Sequence, residues 1–323
     1  ILKKCDQAVI DGDLVELTPE IIEKIEKAND KMASNALRVL GFAYKDIKEV
    51  PEKINSETVE NNLIFIGLMG MIDPPRKEAK EAVKTCRKAG VQPIMITGDH
   101  KVTATAIASQ LDIIDSEDEV IEGRALDQLD EDEFVEAVKK YNVYARVSPE
   151  HKVRIVKALK KQGKVVAMTG DGVNDAPAVK NADIGVVMGI TGTDVAKGVS
   201  DMVLTDDNFA TIVAAVEEGR RIYTNIRKVI YNLLSCNLCE ITSLFLATIL
   251  NWRILMPIHI LWINLVTDAL PALALGVDEA TEDLMNRPPK DKSAGVFSGG
   301  LGRNIIFHGL IQTVLTMSAF YIG

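Results

Sequence analysis

Val165-Val166-Ala167-Met168-Thr169-Gly170-Asp171-Gly172-Val173-Asn174-Asp175-Ala176-Pro177-Ala178-Val179 is the stretch that decides the fold. Four apolar residues predict a short buried strand, and they run straight into a hydroxyl, two glycines, an amide and two carboxylates. In a parallel α/β sheet, ligands collect where strands end and helices begin. A Thr-Gly-Asp turn alone is commonly only a turn. The whole run, following an apolar strand, is too particular for that.

Further apolar runs lie at residues 62–68, 92–96, 184–188 and 202–204, with helical patterns between several of them, for instance at 77–89 and 150–161. Strands alternating with helices predict a parallel sheet with helices on both faces. Two more strand–helix junctions carry matching chemistry. Met95-Ile96 leads into Thr97-Gly98-Asp99, and Ser148-Pro149-Glu150-His151-Lys152 opens a helix with a lysine near its first turn. Hydroxyl, lysine, amides and carboxylates form the set needed to hold a phosphoryl group and a Mg2+ ion. Glycines at 98, 170 and 172 let the backbone come close. The opening segment differs, since a helical stretch at 19–33 and a strand-like run at 37–44 read as the end of another domain.

With 323 residues the chain has room for about two domains. It holds 37 Lys and Arg against 46 Asp and Glu, a formal charge of −9, which argues against a nucleic-acid partner. At 47% hydrophobic it can bury a sizeable core, so it is not a disordered chain. Four cysteines make no disulfide framework and point to a reducing compartment. The first residue is Ile1 and no secretory signal precedes it, as expected for a piece of a longer protein.

After about Lys228 the chain turns apolar. Residues 229–251 carry one formal charge, Glu240; residues 254–276 carry one, Asp268; residues 304–323 carry none. Each is long enough to cross a hydrocarbon core of about 30 Å as a helix. The competing reading is a set of buried helices in a large soluble protein. Arg220, Arg221, Arg227 and Lys228 precede the first stretch, and Arg287, Lys290 and Lys292 follow the second, whereas the connection between them holds only Arg253. The excess of basic residues predicts that the soluble part and the loop after the second span are cytoplasmic. The lipid bilayer is thus an expected partner of a multi-pass protein.

Ionisable residues inside a span cost about 2.5–3.5 kcal/mol or more, so each is a functional candidate. Asn237 and Glu240, spaced i,i+3, share one helix face; Asn264, Thr267 and Asp268 share another. Pro271 removes an amide donor and frees a carbonyl near Thr267. Carboxylates, amide oxygens, a hydroxyl and free carbonyls make a hard site that suits Ca2+. The alternative is polar contact between helices, worth about 1 kcal/mol each. Cys236 and Cys239 flank Asn237, and such a pair could instead hold a soft metal. From Phe209 to Asn251 no proline intervenes, which predicts a rod of about 65 Å capped by Asp207 or Asn208, with Gly219 as its soft point.

The chain resembles the P-type ATPases. Thr169–Pro177 looks like the hinge motif of their haloacid-dehalogenase-like phosphorylation domain. Asp73-Pro74-Pro75-Arg76 looks like the segment joining nucleotide-binding and phosphorylation domains, and Met95–Asp99 and Lys152 match phosphate-contacting motifs. The stretch from Met188-Gly189 through Gly192-Thr193 to Ala196-Lys197 also fits. The resemblance implies an N-terminal remnant of an α+β nucleotide-binding domain over 1–72, an α/β phosphorylation domain over 73–212, and an all-α stalk and transmembrane bundle over 213–323. It implies that Asp171 binds Mg2+, and that Asn174 and Asp175 shape the phosphate site. It implies that Thr97, with Gly98 beside it, and Lys152 hold phosphoryl oxygens, and that Arg38, Asp99 and Arg146 touch ATP.

No DKTGT motif, which carries the phosphorylated aspartate of these pumps, occurs in the sequence. That residue is expected in the missing N-terminal half, and the chain alone is expected not to turn over, because no covalent intermediate can form. Asn237, Glu240, Asn264, Thr267 and Asp268 look like the ion site of the sarco/endoplasmic-reticulum class of calcium pump. The expected function is therefore part of an ATP-driven Ca2+ pump. Other readings are a pump for H+, Na+, Mn2+ or a soft metal, a membrane-anchored phosphatase of the same fold, and a non-catalytic interaction fragment. The expected location is a bacterial plasma membrane.

Overall fold

The structure, a computed structural model, describes residues 1–35, 37–47, 55–71, 75–279, 283–292 and 294–323. These divide into two compact units, Ile1–Lys84 with Pro93–Asp207, and Thr85–Gln92 with Asn208–Gly323.

The first unit begins with a hairpin of β1 (Cys5–Ile10) and β2 (Asp13–Glu16). Its turn, Asp11-Gly12, has φ of +51° and +96°, the left-handed backbone that two-residue hairpin turns require. α1 (Pro19–Ala33) starts where the pattern predicts, because Thr18 Oγ1 accepts from the Ile21 amide and Pro19 presets the first helical φ. β3 (Arg38–Tyr44), the short α2 (Ser56–Val59) and β4 (Leu63–Met71) complete the segment. The four strands form a mixed sheet in the order β2-β1-β4-β3, around buried Cys5, Ala8 and Phe65. Of the Asp73–Arg76 motif, Asp73 and Pro74 lie outside the described residues.

α3 (Lys77–Lys88) leads into the predicted alternation: β5 (Met95–Ile96), α4 (Lys101–Gln110), β6 (Val120–Glu122), α5 (Gly123–Leu126), α6 (Glu131–Lys140), β7 (Val143–Ala145) and α7 (Pro149–Lys161). β8 (Ala167–Gly170), α8 (Ala176–Asn181), β9 (Ile184–Met188), α9 (Asp194–Lys197) and β10 (Met202–Leu204) continue it. All the strand pairs are parallel. They form two three-stranded sheets, β5-β7-β6 and β10-β9-β8, where the alternation predicts one. The division falls between β5 and β8, which are edge strands not bonded to each other. One core serves both sheets. Tyr144 of β7, Met168 of β8 and Val187 of β9 pack with Leu126, Phe134, Ile155 and Val179. Burial of each large apolar side chain contributes about 1.5–3 kcal/mol.

In the second unit, α10 (Phe209–Ile249) is a single helix. Asn208 Oδ1 accepts from the Ala210 amide at 3.0 Å, so Asn208 rather than Asp207 is the cap. Its 41 residues extend about 60 Å at about 1.5 Å each. α11 (Pro257–Trp262), a π-helical segment (Ile263–Asp268) and α12 (Ala269–Gly276) follow, and α13 (Leu301–Ile322) ends the chain. Three helices, Phe209–Ile249, Pro257–Gly276 and Leu301–Ile322, are long and apolar enough to cross a membrane. Within the described residues, 11–17% of their most apolar windows is buried. α10 and α13 approach closely at Gly309, where a Cβ would lie 2.8 Å from the Leu238 side chain. The loop after α12 is fastened to α10 by cations on carbonyls. Arg220 donates to the Leu284 and Arg287 carbonyls at 2.8 Å, and Arg221 donates to that of Asp278 at 3.1 Å.

Candidate functional site

Thr97 leaves the end of β5. Its Oγ1 donates to the Asp99 carboxylate at 3.0 Å and accepts from the Asp99 amide at 3.1 Å, so the turn closes on itself. Two backbone bonds join it to the end of β7. The Arg146 amide donates to the Asp99 carbonyl at 3.1 Å, and the Val147 amide donates to the Thr97 carbonyl at 3.4 Å. Arg146 holds φ +52°, a backbone that arginine rarely adopts and that its surroundings must impose. Ser148 then caps α7 in a capping box with buried His151, whose Nε2 lies 2.7 Å from an Asp127 carboxylate oxygen.

That box sets Lys152 in the first turns of α7, and its Nζ donates to Asp175 Oδ1 at 2.5 Å. The pair is well shielded, with side chains 19% and 11% exposed. Asp175 Oδ2 accepts from the amides of Asp171 and Gly172, each at 3.4 Å. Hydrogen bonds thus join Thr97 and Asp99 to Arg146 and Val147, and Lys152 to Asp175 and Asp171, and the chain from Arg146 to Lys152 connects the two sets, so that three strand ends share one surface. Gly170 makes this possible, since a Cβ there would lie 2.3 Å from the Asp175 Cβ. Around Gly98 a Cβ would meet nothing within 4 Å. Asp171 and Asn174 are exposed. Arg38 belongs to the mixed sheet, at the first position of β3 across from Met71, and the bonds above do not include it.

A residue that sequence reading treated only as a possible cap organises the neighbouring loop. The Asp207 carboxylate accepts from the Ile190 amide at 2.9 Å, and from the amide and hydroxyl of Thr191 at 2.8 Å each. Partial desolvation would raise this carboxyl, but the donors of Ile190, Thr191 and Gly189 together hold it down at about 2. The loop is tight. A Cβ on Gly192 would lie 1.9 Å from the Met188 carbonyl oxygen. At its far end the Thr193 amide donates to the Asp171 carbonyl at 2.9 Å. In the sequence Asp207 reads only as one of two candidate caps for α10, beside Asn208.

In the second unit, Asn264 Nδ2 donates to both oxygens of Glu240, at 3.2 and 3.1 Å, and to the Ile260 carbonyl at 3.0 Å. Asp268 is buried at 3% exposure, and its Oδ2 has no partner among the described residues. Asn237 and Thr267 are exposed. The π-helical segment contains Asn264, Thr267 and Asp268, and a π turn takes more residues than an α turn, so the i,i+3 face read from sequence does not carry over unchanged. The two thiols have different neighbours. Cys239 Sγ lies 3.8 Å from the hydroxyls of Ser243 and Thr316, whereas Cys236 interacts with Asp268. Among the described residues, no three His, Cys, Asp or Glu side chains gather into a group that could hold a metal.

Two family models match the chain. "P-type ATPase, cytoplasmic domain N" covers residues 1–78, and "Cation transporting ATPase, C-terminus" covers residues 253–323. The chain is 52% identical to Calcium-transporting ATPase 1 of Bacillus cereus and 47% identical to the Calcium-transporting ATPase of Bacillus subtilis. Each alignment covers 100% of this chain and 36% of the relative. It is also 45% identical to the Endoplasmic reticulum calcium ATPase srcA of Aspergillus fumigatus, over 93% of this chain and 32% of that protein. The chain thus spans about a third of the length of these relatives.

Proposed function

The chain belongs to the P-type ATPase family, and on that premise we propose that the whole protein is an ATP-driven pump that moves Ca2+ across a membrane through an aspartyl-phosphate. The observation that carries this reading is the linkage of three strand ends by the Lys152–Asp175 pair and the bonds around Thr97, beside exposed Asp171. Residues 73–212 act as a haloacid-dehalogenase-like phosphorylation domain, with a remnant of the nucleotide-binding domain before it and the stalk and membrane helices after it. Thr97 and Lys152 hold the transferred phosphoryl oxygens and offset the charge that spreads over them. Gly98 leaves the approach to Thr97 open. Asp175 keeps Lys152 in place and Asn174 lines the phosphate pocket. Arg38, Asp99 and Arg146 take the nucleotide. The oxygen of exposed Asp171, with its backbone held on both sides, fits a hard cation, and Mg2+ bound there would neutralise phosphate charge. The nucleophilic aspartate is supplied by a part of the protein outside this sequence.

Glu240, Asn264 and Asp268, with Asn237 and Thr267 on the same helices, take the transported Ca2+. The support is Asp268 Oδ2, a buried carboxylate oxygen without a partner among the described residues. Such an oxygen costs about 1–3 kcal/mol until something pairs with it. The soluble part is cytoplasmic and the membrane is the plasma membrane of a bacterium. The test uses membranes holding the full-length protein, incubated with radiolabelled ATP with calcium present or chelated. An acid-stable phosphoenzyme formed only with calcium, and lost in Glu240→Gln or Asp268→Asn, is the expected result. Labelling switched on by another cation instead would overturn the substrate, and no labelling under any cation would overturn the pump.

A further inference from the structure

Asp207 lies 16 and 17 residues from the groups it holds and is given no role in the proposed function. Its three hydrogen bonds run to Ile190 and Thr191, and its own carbonyl accepts from Arg76 Nη1 at 2.9 Å. It also sits at φ +50°, a left-handed backbone, so the residue is held from both sides. The Gly189 amide donates to the Leu204 carbonyl at 2.7 Å, which closes the same loop against the end of β10. The chain of bonds then reaches Thr193, whose amide fixes the Asp171 carbonyl, while the Asp171 amide is fixed by Asp175 Oδ2.

We propose that Asp207 is a positioning residue for Asp171: by holding the 189–193 loop it fixes the backbone from which the Mg2+-binding carboxylate extends. This rests on the reading of Asp171 as the Mg2+ ligand. A carboxylate can accept all three donors at once, whereas the amide of asparagine would set its own N–H against one of them. Asparagine tolerates the left-handed backbone, so Asp207→Asn weakens the clamp, with an N–H set against a donor, without straining the chain. Groups that hold a metal ligand in place are worth about 10–100-fold in metal affinity.

The probe is Mg2+ alone, added to the full-length protein while amide hydrogen exchange is followed over residues 170–176 and 189–193. In the unsubstituted protein Mg2+ slows exchange over 170–176. In Asp207→Asn, half-maximal slowing needs about tenfold more Mg2+, and the Ile190 and Thr191 amides exchange faster with or without it. Thr191→Val, which deletes one of the three bonds, gives a smaller shift in the same direction. Asn208→Ala removes the cap of α10 and leaves the Mg2+ requirement unchanged. An Mg2+ requirement in Asp207→Asn and Thr191→Val equal to that of the unsubstituted protein overturns the inference while leaving Asp171 as the ligand. If Mg2+ gives no slowing in the unsubstituted protein, the assignment of Asp171 itself is overturned and the inference falls with it.

Discussion

At the scale of single residues the proposed phosphate site depends on clearance and on paired charge. Gly170 allows Asp175 to reach back under the turn, because a Cβ would lie 2.3 Å from the Asp175 Cβ. Gly170→Ala should therefore displace Asp175 from Lys152 and lower phosphoenzyme formation about 100-fold, the scale of losing one oriented charge-stabilising donor; formation within twofold of the unsubstituted pump would contradict this. Asp268 poses the opposite case. Its buried Oδ2 lacks a partner among the described residues, so Asp268→Asn should leave the unfolding midpoint unchanged or raise it while abolishing calcium-dependent phosphorylation. Asp207 predicts a pH dependence with a definite sign. Its carboxyl is depressed to about 2 in the folded chain, by the bonds to Ile190 and Thr191 that outweigh desolvation. Its contribution is thus fully present above the ordinary carboxylate range and is lost as pH falls through about 2. The difference in unfolding midpoint between the unsubstituted protein and Asp207→Asn should be constant from pH 7 to 5 and shrink between pH 4 and 2.

At the scale of elements, local pattern and local structure agree where an element carries its own start signal. α1 begins at Pro19 behind the Thr18 cap, and α10 begins behind Asn208. β9 and β10 occupy the predicted residues, since each is an apolar run between polar neighbours. Strands β6 and β7 escaped, because three-residue runs in an acidic, helix-rich stretch have no readable period. The β1–β2 hairpin was legible in Asp11-Gly12 but lay outside the runs considered. The π-helical turn at Ile263–Asp268 had only the indirect signal of Pro271. On α10, a Cβ at Gly219 would meet nothing within 4 Å, so the position is open and the helix itself is what a substitution tests. Gly219→Pro should break the helix and, in the proposed pump, uncouple ATP hydrolysis from ion transport; a normal ratio of ions moved to ATP split in the full-length protein would show that α10 does not transmit the movement.

At the scale of the molecule, the basic residues at 220–228 and 287–292 predict the loop after α12 on the same side as the soluble part. A cysteine introduced at Ser298 should react with an impermeant maleimide only from the cytoplasmic face, and one at Asn251 only from the opposite face; the reverse pattern would invert the topology. The order of motifs and the three apolar helices follow from the sequence alone, whereas the choice of Asn208 over Asp207 as the cap of α10 came from the structure. The physical reason is that periodicity, capping and hydrophobic length are local properties. Which strand ends meet was decided only by the tertiary structure. Lys152 finds Asp175 across 23 residues, and Asp207 finds Thr191 across 16. Such bonds depend on strand order and register, and no local pattern of residues encodes either.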